Sequence, residues 1–520
     1  MRLISLSVKQ YKVLKDITVQ FNEVGEKPNI HFFIGVNGTG KSTMLEALGL
    51  IFTRIMQNEV PGFDFYLKYE INGAVVSIEP IVGFWDKEGR KRRMIVKISK
   101  DKGQTEFNNI PDEYKPGRII AYCSGVNTFM DDILISSPKT SLASDLYDIY
   151  TGKKEDDKDE TPYINELLDY YKNLDTNPRT LYLDAATSRL ILPVIFAVLP
   201  FNIQDEFAIE KINQYFGLRQ EITNRLGNFS PVAFSLVVDD AAFSNMADVP
   251  QKNFLSRIMS SGEKRKVCNW DASRQVFNTW VENEIEPFSE NVAVFLYNNF
   301  SETPSSSYNS KLQDCFEGNP FTLLSTLVTG YQVGAIKEVN FTFKIGACPE
   351  LLDLAALSDG ELMWIARMGL ILISQEYCSR NNLFLFDEPD VHFNDSWNKD
   401  FISMVNKMGK DTLNEFIIAT HSTLILTDAF NKQMHLFDKD IIGAQVKQPY
   451  ISTFAAQRER IDMEVFDTAA IGVYADSKIS DMMQEKDPEK LLDNISKVGP
   501  GYHRFRLYER YYELQKEEEE

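Results

Sequence analysis

Polar and apolar residues alternate through the first 22 positions: Ser5 and Ser7 interleave with Ile4, Leu6 and Val8, and Ile17, Val19 and Phe21 stand between polar neighbours. A period of two predicts two half-buried strands around Gln10-Tyr11-Lys12. Residues 29–34 form a short apolar run that ends at a glycine loop, and residues 43–56 are apolar on nearly every face. A buried strand, a loop and a buried helix are expected in succession. Turn signals at Asn72-Gly73 and Lys87-Glu88-Gly89 divide residues 64–99 into hairpin-like strands, and residues 118–122 read as another buried strand.

The pattern changes near residue 135. Residues 153–160 are a charge run of the kind found in solvated loops. From there to about 335 the pattern is mixed, with helices expected over 164–172 and 207–215 and none of the sustained heptads that a long coiled coil requires. Alternation resumes at Val339, Phe341 and Phe343, and two apolar strands, 383–386 and 416–419, each run into a polar turn. The expected organisation is 1–134, 135–335 as a helical insertion, 336–450, and a C-terminal extension over 451–520.

With 520 residues, 43 % of them apolar and 25 % charged, the chain has room for about three structural units and excludes a disordered or fibrous protein. No run of 18 uncharged apolar residues occurs, and the N-terminus is too interrupted by polar residues for a signal peptide, so no membrane association and a cytoplasmic location are expected. Five scattered cysteines without a C-x-x-C pair indicate neither a disulfide framework nor a zinc site. The net charge of −20 argues against a surface that coats nucleic acid throughout, and it leaves room for a local basic groove that holds DNA or RNA.

Gly35-Val36-Asn37-Gly38-Thr39-Gly40-Lys41-Ser42 fits G-x-x-x-x-G-K-[ST] and sits after a buried strand and before a helix. Glycines let backbone N–H groups curl around phosphate oxygens, and the helix N-terminus adds partial positive charge. In that arrangement Lys41 reaches the β- and γ-phosphates, the Ser42 hydroxyl holds Mg²⁺, and Thr43 continues the helix. The four fixed positions match by chance in roughly one chain in fifty of this length. Further along, Leu383-Phe384-Leu385-Phe386-Asp387-Glu388-Pro389 is an apolar strand that delivers two carboxylates at its end. Asp387 is suited to Mg²⁺, directly or through water, and Glu388 to polarising a water for in-line attack on the γ-phosphate.

Leu357-Ser358-Asp359-Gly360-Glu361 begins a helical stretch, with Ser358 standing 29 residues before Asp387, and Thr420-His421-Ser422 closes a strand, with His421 34 residues after it. Phosphate loop, LSDGE, FLFDEP and ATHS in this order resemble the head of an ABC-type ATPase. Tyr11-Lys12 and Asp387-Glu388-Pro389-Asp390-Val391-His392 further resemble elements of its RecF, OLD and SMC-like branch. The resemblance implies an α/β fold: a phosphate-loop NTPase head with a mixed or parallel sheet, an antiparallel β subdomain, a largely helical insertion and no long coiled coil. It implies a head-to-tail dimer with two ATP molecules at its interface, each held by one subunit's Gly35, Asn37, Gly38, Thr39, Gly40, Lys41, Ser42 and Thr43 and by the signature residues Ser358, Gly360 and Glu361 of the other. It makes His421 a switch histidine facing the γ-phosphate, residues 390–394 a loop linking the two sites, and Lys12 a basic nucleotide contact. No Q-loop glutamine can be placed; Cys123-Ser124-Gly125 after the strand at 118–122 is the candidate region.

A second signature-like stretch, Met259-Ser260-Ser261-Gly262-Glu263-Lys264, is followed by an acid-free apolar strand at 293–297, which reads either as an internal echo of the ATPase motifs or as a serine-capped helix start. Lys264, Arg265 and Lys266 form the densest basic patch, which reads either as a solvated helix start or as a contact to a phosphate backbone, and residues 498–506 combine turn, aromatic and basic residues that suit either a docking surface or a packed terminal helix. Too few residues follow His421 for an appended Toprim nuclease, so nuclease chemistry is not expected in this chain. The layout resembles the ATPase subunits of the anti-phage systems Septu and PARIS and of restriction-associated ATPases, which implies control of a separate effector such as a nuclease. A RecF-like ATPase that clamps DNA directly is the alternative.

Overall fold

The computed structural model describes residues 1–22, 28–85, 92–100, 103–125, 179–197, 206–224, 227, 229–246, 250–261, 263–265, 270–271, 276–277, 290–296, 320–346, 350–376, 381–410, 412–440, 443–466 and 472–519. The chain divides into two compact units, Met1–Tyr450 and Ile451–Glu520.

In the first unit, β1 (Arg2–Tyr11) and β2 (Leu14–Gln20) form the hairpin that the alternation predicts, turning at Lys12, whose φ of 50° is left-handed. They join β4 (Phe65–Ile71), β5 (Ala74–Trp85), β6 (Arg92–Lys100) and β7 (Gly103–Phe107) in an antiparallel sheet ordered β2-β1-β4-β5-β6-β7. Asn72 and Gly73, with φ of 51° and 73°, turn β4 into β5 as a two-residue hairpin of the favoured hand requires. The turn expected at residues 87–89 lies outside the described residues.

A second sheet follows the order β19-β18-β3-β17-β16-β8-β9. Its strands are β3 (Asn29–Ile34), β8 (Ile119–Cys123), β9 (Thr180–Leu183), β16 (Leu383–Asp387), β17 (Glu415–Ala419), β18 (Met434–Asp440) and β19 (Gly443–Lys447). Neighbours are parallel except β18 with β19. Parallel strands are covered on both faces, which is why these segments read as unbroken apolar runs. Leu383, Leu385, Ile417 and Ala419 share one core with Leu45, Leu48 and Phe52 of α1 (Lys41–Met56) and with Leu6, Tyr69 and Val76 of the antiparallel sheet. Phe384 and Phe386, one position out of phase, turn the other way: Phe384 stacks on Phe416 at 4.4 Å, and Phe386 lies 6.5 Å from Phe401 of α8 (Asp395–Gly409). The helix that carries the phosphate loop is therefore fixed between two sheets.

The region between these halves contains α2 (Ile191–Ala197), α3 (Glu206–Asn224), α4 (Asp240–Asn245), α5 (Pro250–Ser261) and α6 (Pro320–Gln332). It also contains an antiparallel sheet, β11-β14-β10-β15, from β10 (Phe229–Asp239), β11 (Glu263–Arg265), β14 (Glu290–Leu296) and β15 (Ile336–Ile345), and a small hairpin of β12 (Trp270–Asp271) and β13 (Val276–Phe277). Pro231 conceals β10 in the sequence; the strand tolerates it through a register shift between Pro231 and Ala233. The charge run at 153–160 and the helix expected at 164–172 lie outside the described residues.

The acid-free strand at 293–297 falls on β14, which pairs antiparallel with β10 and β11 and stands outside the parallel sheet. Ser260 closes α5, and its hydroxyl donates back to the Arg257 carbonyl at 2.8 Å. An ATPase signature needs a helix N-terminus there. The second signature-like stretch is thus at a helix C-terminus, so neither the internal echo nor the serine-capped helix start describes it.

The second unit holds α10 (Arg458–Val465), α11 (Val473–Met483), α12 (Pro488–Lys497) and α13 (Tyr502–Glu519). Leu491 and Ile495 of α12 pack with Leu507 and Leu514 of α13, and Asp487 caps α12 by accepting from the Glu489 and Lys490 N–H groups. The 498–506 stretch ends α12 and opens α13, with Tyr502 and Phe505 exposed. Among the described residues no helix is long and apolar enough to cross a membrane. In the first unit, the segment between β15 and β16 supplies a further helix, α7 (Asp359–Glu376), and a short α9 (Thr423–Leu426) follows β17.

Candidate nucleotide-binding and hydrolysis site

Because β3, β8, β16 and β17 are parallel, their C-terminal ends share one edge: Phe33 pairs with Ala419, Ala419 with Asp387, and Asp387 with Cys123. Ligands of parallel α/β sheets collect at that edge. The phosphate loop leaves β3 there and winds through Gly35, Gly38 and Gly40 at φ of 141°, 79° and 102°. A side chain at Gly35 would place its Cβ 2.2 Å from the Phe437 carbonyl oxygen, so only glycine fits. Asn37 and Gly38 are exposed at the loop tip, the buried Thr39 donates to the Val36 carbonyl at 2.9 Å, and Thr43 continues α1, half-buried.

Lys41 is buried, and its ammonium lies in the mouth of the loop, donating to the carbonyls of Gly35 (2.9 Å) and Val36 (3.2 Å). Burial pushes it down to about 8, against the pull of Glu388, Asp387 and Asp390. His421 Nε2 stands 2.9 Å from that ammonium and 3.3 Å from Glu388 Oε1. Burial first, then the Lys41 charge, holds His421 below its ordinary value. One ring nitrogen cannot accept from Lys41 and donate to Glu388 together; with Lys41 charged, the neutral ring accepts, and Glu388 Oε1 lies beside it without a hydrogen bond.

The Ser42 hydroxyl donates to Asp387 Oδ1 at 3.0 Å. Burial pushes the Asp387 carboxyl up to about 6, with the Ser42 hydrogen bond opposing and Glu388 adding to the rise. A hydroxyl and a carboxylate at one spot fit a hard divalent cation, and Mg²⁺ takes most of its remaining ligands from phosphate and water. Such a cation would supply the positive charge that the partly buried carboxylate lacks. A carboxyl whose folded value lies above its unfolded 3.8 weakens the fold when charged; that penalty is complete above about pH 6 and is relieved as the pH falls toward 4. Asp387→Asn is therefore expected to raise the Tm of nucleotide-free, metal-free protein at pH 7.5, with the gain shrinking below pH 6 in thermal scans. An equal gain at pH 4.5 and 7.5 would contradict this.

Glu388 has a φ of 49°, a left-handed conformation that costs a non-glycine residue about 1–2 kcal/mol. Its N–H donates to the Ala419 carbonyl at 2.8 Å, and its own carbonyl accepts from Ser124 Oγ and from the Val391 N–H. Asp390 accepts from the Thr420 hydroxyl at 2.6 Å, and burial raises its carboxyl. Lys12 Nζ donates to Glu46 Oε2 of α1 at 2.6 Å and lies 5.6 Å from the Tyr11 ring centroid, close to the phosphate-loop helix.

At the start of α7, Glu361 N–H donates to Ser358 Oγ (3.3 Å), while the Ser358 N–H and hydroxyl both donate to Glu361 Oε2 (2.7 Å each). This is a capping box, in which the Glu361 carboxylate holds Ser358 in place. A Cβ on Gly360 would meet the His392 carbonyl oxygen at 2.7 Å, so the signature helix and the 390–394 loop are in close contact. Lys41, Ser42, Asp387, Glu388 and His421 converge. Ser358 and Glu361 bond to each other and, among the described residues, to nothing in the phosphate loop. In the sequence Thr420 stands out only as part of the Thr420-His421-Ser422 stretch, with no sign of its bond to Asp390, and Arg367 is a charge within an apolar helical stretch, a signal that could have been read.

Residues 1–191 match the family AAA_15, described as an AAA ATPase domain, which supports an ATPase. No curated protein matches the chain. Among solved structures, an SMC head bound to the C-winged helix domain of ScpA has a TM-score of 0.29 and 12 % identity, covering 87 % of this chain and 98 % of that one. The SMC head domain from Thermotoga maritima has a TM-score of 0.29 and 11 % identity, covering 87 % and 100 %. An Smc head with an extended coiled coil bound to the C-terminal domain of ScpA, derived from Pyrococcus furiosus, has a TM-score of 0.28 and 11 % identity, covering 87 % and 96 %. Likeness at that level leaves the reading of this site to its own geometry.

Proposed function

We propose that this chain is an ABC-type ATPase that binds ATP with Mg²⁺, closes head to tail with a second copy around two nucleotides, and hydrolyses them. The observation that carries this reading is the convergence of Lys41, Ser42, Asp387, Glu388 and His421 at one sheet edge, while the capped N-terminus of α7 bonds to nothing in its own phosphate loop. Such a signature suits a γ-phosphate held by another copy. Lys41 and the loop N–H groups bind the phosphates, Ser42 and Asp387 hold the metal, and Mg²⁺, when bound, neutralises phosphate charge. Glu388 polarises the attacking water, neutral His421 orients the γ-phosphate, and Ser358 and Gly360 close the site from the partner. Glu361 and Lys12 act as positioning groups, the first on Ser358 and the second on α1.

The resemblance to ATPase subunits of anti-phage systems supports a further step: in the cytoplasm, closure of the dimer controls a separate effector, a nuclease, whose chemistry lies outside this chain. Lys41→Ala tests both parts. It removes a buried cation, so the fold is expected to survive, while ATP affinity by equilibrium titration falls at least about tenfold through loss of charge-assisted phosphate bonds. Tagged parent protein purified with ATP is expected to retain a nuclease that Lys41→Ala loses. Parental affinity in the variant would contradict the binding role, and recovery of DNA without a protein partner would contradict effector control.

A further inference from the structure

Between Glu361 and Glu376, α7 holds a single charged residue, Arg367, and it is fully buried, 0 % exposed. Its guanidinium stands 4.6 Å from the Tyr122 ring centroid and 4.3 Å from that of Phe393. Nη2 donates to Ser124 Oγ at 3.0 Å and to the Val391 carbonyl at 3.2 Å, whereas Nε and Nη1 have no hydrogen-bond partner among the described residues. The Ser124 hydroxyl in turn donates a hydrogen bond to the carbonyl of Glu388. A guanidinium left half-satisfied in an apolar helix carries a desolvation cost that a leucine or methionine would not, and its aromatic contacts recover only part of it.

Two segments meet at this side chain, the end of β8 and the 390–394 loop, and the turn at Glu388 is reached from it through Ser124. Each borders the proposed hydrolysis site, and α7 itself begins at Ser358. We propose that Arg367 is a positioning residue that, through Ser124, forms a relay from the signature helix to the backbone of Glu388. The strain of a non-glycine residue in the left-handed region and the strength of one charge-assisted hydrogen bond are of similar size, so a small shift of α7 suffices to change how firmly Glu388 is held. Docking of a second copy's nucleotide on Ser358 then reaches Glu388 through nine residues of helix, one guanidinium and one hydroxyl. Ser124 lies in the stretch that is the candidate for the Q-loop region. The relay rests on the ATPase reading above.

The test uses the full chain as parent, Arg367→Lys, Ser124→Ala and the double variant, with phosphate release and equilibrium binding of a fluorescent ATP analogue measured on each. Arg367→Lys keeps the charge and loses the fork; Ser124→Ala removes one hydroxyl. Each single variant is expected to lower kcat about tenfold with nucleotide Kd within about twofold of the parent, and the double variant is expected to be no slower than the slower single. A side chain that merely props up the fold would not give that split or that non-additivity. Parental kcat in Ser124→Ala, or losses that multiply in the double variant, overturn the relay. Should Arg367→Lys fail to fold, Ser124→Ala decides alone. A parent that neither binds nor turns over ATP would sink the ATPase reading itself, whereas an active parent with an unaffected Ser124→Ala sinks only the relay.

Discussion

Glu388→Gln is expected to lower steady-state ATP turnover by about two to four orders of magnitude while ATP stays bound. Glutamine has nearly the shape of glutamate, and the bonds that hold this residue, from its N–H to the Ala419 carbonyl and from the Ser124 hydroxyl to its carbonyl, involve none of its own side-chain atoms. The left-handed turn therefore survives. What disappears is the negative oxygen beside His421 that can draw a proton from an attacking water. Lys41, Ser42 and Asp387, which bind rather than hydrolyse, are untouched, so nucleotide accumulates in the site. Phosphate release and retention of labelled ATP on a desalting column measure the two halves separately. Unchanged turnover would remove Glu388 from catalysis.

Ser358→Arg is expected to cost about a hundredfold or more in turnover, the scale on which removal of one transition-state donor is felt. Nucleotide binding by the isolated subunit should remain at parental strength. The substitution removes a helix cap worth about 0.5–2 kcal/mol, too little by itself to unfold a domain of this size. It also puts a long cation where, in the proposed dimer, a γ-phosphate and a backbone amide must meet. Light scattering with ATP is expected to show parent protein dimerising and Ser358→Arg remaining monomeric. A fully active Ser358→Arg would argue against a signature acting across subunits.

Much of this architecture was legible in the chain because backbone demands and residue types coincide. The phosphate loop advertises itself through Gly35, Gly38 and Gly40, which stand at positive φ. The strands at 383–387 and 415–419 are legible because parallel strands are buried on both faces, and the β1–β2 hairpin because antiparallel strands show one face to water. Elsewhere the local signal pointed astray or was silent. Pro231 disguised a strand, and Ser260 with Ser261 imitated a helix start at what is a helix end. Glu388 gives no hint of its left-handed backbone, since that conformation is imposed by bonds to Ala419 and Ser124. Arg367 and Ser124 lie 243 residues apart in sequence, and no local pattern encodes a contact at that range.

The composite site is tested most directly by mixing two inactive proteins. Lys41→Ala has a damaged phosphate loop and an intact signature; Ser358→Arg has the reverse. In a head-to-tail dimer of one of each, the intact loop of one subunit meets the intact signature of the other, and the remaining site is doubly damaged. Neither variant closes with its own kind, so at equal concentrations the dimers that form are mixed, each with one working site of two, and turnover should recover to at most about half of the parental value. The account predicts that recovery, saturating as the second variant is titrated into the first. A mixture as inactive as its components, although mixed dimers form, would contradict a site shared between subunits.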